Sequence, residues 1–291
     1  MLGSALRQAL DAQGTEILQL VRHDPLAAGQ MQWAPMASLP IPDTRPLEGL
    51  AAAIHLSGAS VAAHRWTPSY KREMWLSRVE STRALATALA RLSLPPQTLL
   101  VASATGFYGD RGNELLDENS GPGRGFLADL CREWESAGLP AAKAGIRVVH
   151  LRFGAVLGAG GALAKMLPLF RLGLGGKLGS GRQWMSWISL TDAVAAILFA
   201  KDTPTLAGPL NLTAPQPVTN SEFTIALGRA VHRPVLLPAP AFALRLALGA
   251  IADEALLASA HVVPSSLTSA GFRFSHPNLE AALAAALAGT R

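Results

Sequence analysis

The stretch Leu99-Leu-Val-Ala-Ser-Ala-Thr-Gly-Phe-Tyr-Gly109 constrains the fold of this chain more than any other. Its unbroken apolar start suits a strand buried on both faces, as in a parallel sheet covered by helices. Ser103 and Thr105 follow at the carboxyl end, where open α/β sheets place their ligands. Parallel strands cannot be joined by tight hairpins, so helices must alternate with strands along the chain.

That alternation can be read directly. Residues 2–13 have helical spacing, with Leu2, Leu6 and Leu10 on one face, and Gly14 ends the helix. Residues 16–21 and 51–56 read as strands, the second running into Ser57-Gly58-Ala59. Residues 68–92 read as one long helix, with Thr67 as N-cap and Pro68 at the first helical position. A strand over 98–102, a helix over 125–137 and a strand over 147–151 follow, the last leading into Arg152-Phe153-Gly154. The fold expected is α/β, a doubly wound parallel sheet. Residues 158–186 are glycine-rich and read as a substrate-side insertion, and Asp192 reads as a residue opening the next helix. Prolines punctuate the tail, which reads as a small helical domain. The division expected is 1–233 and 234–291.

Composition narrows the function classes. Hydrophobic residues make up 49% of the 291 positions, which indicates a well-buried globular protein. No apolar run approaches bilayer length and no leader is visible, so no membrane partner is expected. The single cysteine, Cys131, permits no internal disulfide and points to a reducing cytoplasm. On its helix, with no histidine nearby in sequence, Cys131 reads as structural. The net charge of +5 is carried by scattered arginines and forms no basic run, so nucleic acid is not an expected partner. No His/Cys/Asp/Glu grouping has metal-ligand spacing. His55, inside a strand, reads as a core or interface histidine.

Several segments then fall in a telling order: Ile54-His-Leu-Ser-Gly-Ala59, Arg65-Trp66-Thr67, Ser77-Arg78-Val79, Ser103 to Gly109, Leu163-Ala-Lys-Met-Leu-Pro168, Gly179-Ser-Gly-Arg182 and Trp187-Ile188. Together they resemble the atypical epimerase family of extended short-chain dehydrogenases, some of whose members are described as cell-division inhibitors. Ser103 to Gly109 is similar to that superfamily's Ser-Ser-x-x-Val-Tyr-Gly. The resemblance implies an extended Rossmann fold, NADP(H) binding and a family-specific C-terminal domain from about Pro234.

It also implies where the site lies. The glycine-rich turn of a Rossmann domain lets the backbone approach a pyrophosphate at a helix N-terminus. Only its third glycine matches here, as Gly3; the first strand and two glycines are missing. A start codon assigned too late is the expectation, with a truncated paralogue or an ordinary first helix as alternatives. Arg22 follows Gly3 by about 20 residues, at a strand end where NADP enzymes carry an arginine for the 2′-phosphate. Ser57, Gly58, Ala59, Arg78, Ala104, Arg152, Phe153 and Gly154 complete the expected cofactor contacts. The superfamily's Tyr-x-x-x-Lys pair falls on Phe126 and Leu130, which can neither transfer a proton nor supply charge. Ser103, Thr105 and Tyr108 are therefore the candidate catalytic hydroxyls, and Arg182 is a candidate clamp for an anionic small-molecule substrate. Arg65 and Lys71 read as a solvated helix face that could also project toward the site. Residues 68–92 and 125–137 would form a homodimer face, with Trp75 and Trp134 either on it or in the core. Two functions remain open: an NADP-dependent oxidoreductase or epimerase-like enzyme with an atypical site, and a non-catalytic NADP-binding regulator.

Overall fold

The computed structural model describes residues 1–25 and 27–288. Its strands are β1 (Gln19–Val21), β2 (Gln30–Gln32), β3 (Ala52–His55), β4 (Thr98–Ala104), β5 (Arg147–Phe153) and β6 (Gly208–Leu212), besides short two- and three-residue pairings. The last four form one sheet in the spatial order β3-β4-β5-β6, every pair parallel. β4 is central and buried along all but its last residue, which is why its sequence is continuously apolar. β1 and β2 pair with each other, also in parallel. No strand among the described residues joins β1 to β3, so the parallel array is interrupted between them.

Alternate residues of β4 feed two cores, as the pleat requires. Leu100 joins Val149, Leu151, Ile197 and Leu6 on one face. Leu6 comes from α1 (Leu2–Ala12), which packs beside the helix Leu190–Asp202. Leu99 and Val101 join Met74, Leu89, Leu130 and Trp134 on the other face. Those come from α2 (Pro68–Trp75), α3 (Ser81–Leu89) and α4 (Phe126–Ser136). Trp134 thus lies in the core, its Nε1 donating to Thr82 Oγ1 at 2.9 Å.

The expected continuous helix over 68–92 departs from α geometry at Leu76–Glu80, a single π turn. Ser77 and Ser81 donate back to the carbonyls of Met74 and Ser77, bonds of the kind that bend helices. The widened turn also aims both hydroxyls at the sheet. Ser77 Oγ accepts from Ala59 N, and Ser81 Oγ meets His55 Nε2 at 3.1 Å. Thr67 caps α2 as expected, accepting from Tyr70 N.

Beyond the main sheet, α5 (Gly161–Arg171), α7 (Asn220–Ala230) and α9 (Leu279–Ala288) enclose a third core around Trp187, Phe223 and Leu283. The longer intervening helices are α6 (Leu190–Asp202) and α8 (Ala241–Leu248), and α8 buries none of its residues fully. Asp192 opens α6 within its first turn and is itself buried. Its carboxylate accepts from the backbone N–H groups of Ser275 and His276 at 2.7 and 2.9 Å, which ties the C-terminal segment to the sheet layer. No helix among the described residues is long and apolar enough to cross a membrane.

His55 gives the fold a pH dependence. Burial in the core pushes its imidazole down to about 4, against an ordinary value of about 6.5. Between those two values the unfolded chain binds a proton that the folded chain does not. Stability is therefore full above about pH 6.5 and declines as pH falls toward 4, by up to about 3 kcal/mol from this residue. His150, also lowered by burial, adds to the effect in the same direction. Urea midpoints at pH 7 and pH 4.5 are expected to differ, and His55→Gln should shrink that difference.

Candidate functional site

The interruption of the sheet leaves an open cleft of about 550 Å³ lined by β1 together with Arg22, His23, Trp33 and Ser57. Arg22 and Ser57, separate in sequence, meet here because β1 and β3 end at the same edge of the fold. Arg22 is exposed. The Ser57-Gly58-Ala59 turn is shaped from below. Arg78 Nη2 donates to the Ala59 carbonyl at 2.8 Å, and the guanidinium lies 5.1 Å from the Trp134 ring centroid. A Cβ at Gly58 would stand only 3.1 Å from the Arg78 guanidinium carbon, so glycine keeps the turn seated on it. Arg78, an expected cofactor contact, lies directly beneath the turn, and burial lowers its pKa. Gly3 lies in the first turn of α1, where a side chain would meet nothing within 4 Å.

At the carboxyl ends of the sheet, register places Ser103, Arg152 and Asn211 side by side on β4, β5 and β6. One hydrogen-bond network joins them. Arg152 donates through Nε and Nη2 to the two oxygens of Glu135, each at 2.8 Å, and Ser103 Oγ donates to Glu135 Oε1 at 2.7 Å. Arg152 Nη1 donates to Tyr108 Oη at 2.9 Å, and Tyr108 Oη donates to Asn211 Oδ1 at 2.7 Å. Asn211 continues outward: its side-chain amide donates to the Val263 carbonyl, and its backbone N–H to buried Glu118. Glu118 also accepts from Ser266 N. Burial pulls the Arg152 guanidinium down, but Glu135 overcomes it and the net shift is upward. Burial raises Tyr108 against the opposing pull of Arg152.

The three candidate hydroxyls therefore sit in different settings. Ser103 is 3% exposed and bonded to Glu135; Tyr108 is 0% exposed and held by Arg152 and Asn211. Thr105 is half-buried in the turn after β4, and among the described residues its hydroxyl has no protein partner. Ala104 and Phe153 are paired in register and half-buried. Gly154 is held close, because a Cβ there would fall 2.6 Å from the Ser186 carbonyl oxygen. Arg152, expected at the cofactor, is buried and committed to Glu135.

Phe126 begins α4 and Leu130 is buried one turn on. Leu127 N donates to Glu254 Oε2 at 2.8 Å, so a carboxylate from the C-terminal region caps this helix. Cys131 is buried on α4, and burial pushes its thiol up to about 12, which fits a structural residue. Arg182 is exposed in its glycine-bounded turn. Arg65 donates to the carbonyls of Ala247 and Leu246 at the end of α8, so it is not merely solvated. Lys71 Nζ lies over the rings of Phe126 and Trp66. Among the described residues no group of three or more metal-ligating side chains is assembled.

Sequence reasoning missed Glu135, Asn211, Glu118 and Glu254. Glu135 did carry a signal. It sits four residues after Cys131 and seven after Ala128, on the buried stripe of α4, where an acid needs a partner. Asn211 and Glu118 carried none, because their partners lie across long sequence separations.

The Glu135–Arg152 pair is nearly dry, at 12% and 4% side-chain exposure. Removing one partner strands the other charge. Glu135→Ala is expected to cost about 3–5 kcal/mol in urea unfolding. The paired replacement Glu135→Leu with Arg152→Met should cost less than either single change.

Comparison with known proteins places these features in a family. The model of the NAD-dependent epimerase/dehydratase family matches residues 1–211, and a domain of unknown function, DUF1731, matches residues 239–286. An epimerase family protein of Mycobacterium bovis is 46% identical over 284 residues, covering 97% of this chain and 93% of that protein. One from Staphylococcus aureus is 36% identical over 289 residues, covering 97% and 94%. Among solved structures, the human epimerase family protein SDR39U1, crystallised with NADPH, superposes with a TM-score of 0.89. It is 32% identical and is covered to 95%, against 98% of this chain. A UDP-N-acetylglucosamine 4-epimerase of Bacillus cereus shares the fold, with a TM-score of 0.75 at 16% identity, covering 100% of this chain and 96% of that one. The chain is thus a member of the NAD-dependent epimerase/dehydratase family and carries a DUF1731 domain.

Proposed function

We propose that this chain binds NADPH along the β1–β3 cleft and the carboxyl ends of β4 and β5, and that it carries out hydride-transfer chemistry on a small substrate without a Tyr–Lys pair. The observation that carries the reading is the convergence of Arg22, His23 and Ser57 on one open cleft at the ends of β1 and β3. The NADPH bound to the human relative supports the same choice of nucleotide.

The residues fit the nucleotide. Arg22 offers a planar, permanently charged fork to a 2′-phosphate. Ser57 and the Gly58–Ala59 backbone, seated on Arg78, form the wall on the β3 side. When bound, the nicotinamide supplies a hydride. Thr105, with its free half-buried hydroxyl, orients a substrate oxygen at the end of β4. Ser103 and Tyr108 act as positioning residues through Glu135 and Arg152, since both are committed within the protein. Phe126 excludes the tyrosine proton route, so a proton comes from solvent.

A second reading has its own support. With Phe126 and Leu130 in place of the acid–base pair, the same cleft suits a protein that binds NADPH without turnover and reports it to a partner. Consumption of NADPH with a panel of aldehydes, ketones and sugar nucleotides separates the two readings; tight binding with no consumption favours the regulator.

For nucleotide binding, calorimetric titration is expected to show tighter binding of NADPH than NADH. Arg22→Ala should weaken NADPH by about tenfold or more and leave NADH nearly unchanged. Equal losses for both nucleotides would remove Arg22 from the 2′-phosphate. For chemistry, Thr105→Val should lower turnover with little change in NADPH affinity.

A further inference from the structure

Several cations around the strand-end site are committed. Arg152 is paired with Glu135, Arg78 with the Ala59 carbonyl and Arg65 with the last turn of α8. Lys165 Nζ donates to the Ala62 carbonyl at 2.7 Å. Lys71 differs. Its Nζ lies 4.7 Å from the centroid of the Phe126 ring and 5.9 Å from that of Trp66, and among the described residues no carboxylate or hydrogen-bond acceptor engages it. Both rings attract the ammonium without neutralising it.

Its position is as informative as its freedom. Phe126 is half-buried at the start of α4. The turn holding Thr105 packs on the next residue, since a Cβ at Gly106 would lie 3.4 Å from Leu127 Cβ. Trp66 and Phe126 stand edge to face at 5.5 Å, and Ile251 and Leu248 from the C-terminal region join the same apolar cluster. A positive charge without an ion-pair partner among the described residues thus stands over Phe126, whose neighbour Leu127 packs on the turn bearing Thr105.

We infer that Lys71 is the anion-recognising residue of the substrate site, taking the carboxylate of a ligand whose apolar body lies against Trp66 and Phe126. The inference rests on the reading that the strand ends face the substrate. It assigns to Lys71 the role expected of Arg182, which stands exposed in a separate loop.

The test is calorimetric titration of the NADPH-loaded protein with benzoate, with benzamide as the uncharged analogue and inorganic phosphate as an anion lacking an apolar body. Benzoate is expected to bind about tenfold more tightly than benzamide or phosphate, a difference of about 1.4 kcal/mol. Lys71→Met should abolish the preference over benzamide, and Lys71→Arg should retain it. Wild-type protein that binds benzoate no better than benzamide, or not at all, overturns the inference. So does a Lys71→Met protein that binds benzoate as wild type does, or one whose main loss is NADPH affinity, which would make Lys71 a cofactor contact. If no variant binds NADPH, the cofactor reading fails on its own. The same benzoate series on the nucleotide-free protein then still decides the role of Lys71.

Discussion

Three parallel strands end side by side at one edge of the sheet, and a buried ion pair organises them. Arg152 projects from β5 between Ser103 of β4 and Asn211 of β6, and Glu135 reaches it from α4. A guanidinium in so dry a setting needs an anion and further hydrogen-bond acceptors. Glu135 supplies two of those contacts and Tyr108 a third. Phe107 covers one face, its ring centroid 3.6 Å from the guanidinium carbon. The strand ends therefore hold one arrangement, and Thr105 is left at the rim with its hydroxyl unspent.

The same network ties the site to the C-terminal region. Asn211 bonds the Val263 carbonyl, Glu118 receives Ser266 N, and Glu254 caps the helix that begins with Phe126. Arg65 reaches the other way, to the carbonyl end of α8. A region matching a domain of unknown function is thus bonded to both walls of the strand-end site. The structural consequence is that changes in DUF1731 docking act on the helix carrying Phe126 and on the Tyr108–Arg152 contact together.

The cleft follows from a different constraint. Parallel strands present unpaired N–H and C=O groups at any open edge. Among the described residues β1 and β3 are not paired, β1 lines open space, and Trp33 stands edge-on to His55 with 6.5 Å between ring centroids. Arg22 and Ser57 meet across this space because each closes its own strand.

Much of this was legible in the chain itself. The apolar run of β4 required a strand buried on both faces, Thr67-Pro68 started a helix, and the ordered motifs from Ile54 to Ile188 pointed to the family. These are local signals, written in periodicity, capping and short spacings, which physics reads over one or two turns. What tertiary structure alone decided was the fate of each polar group. Arg152, at a strand end, is half of a buried ion pair. Arg78 underlies a turn, and Lys71 stands over aromatic rings with no ion-pair partner among the described residues. Sequence sets which residues carry charge and which hydroxyls stand at a strand end. Whether a charge is spent or free depends on partners far away along the chain, and only folding brings those within hydrogen-bonding distance.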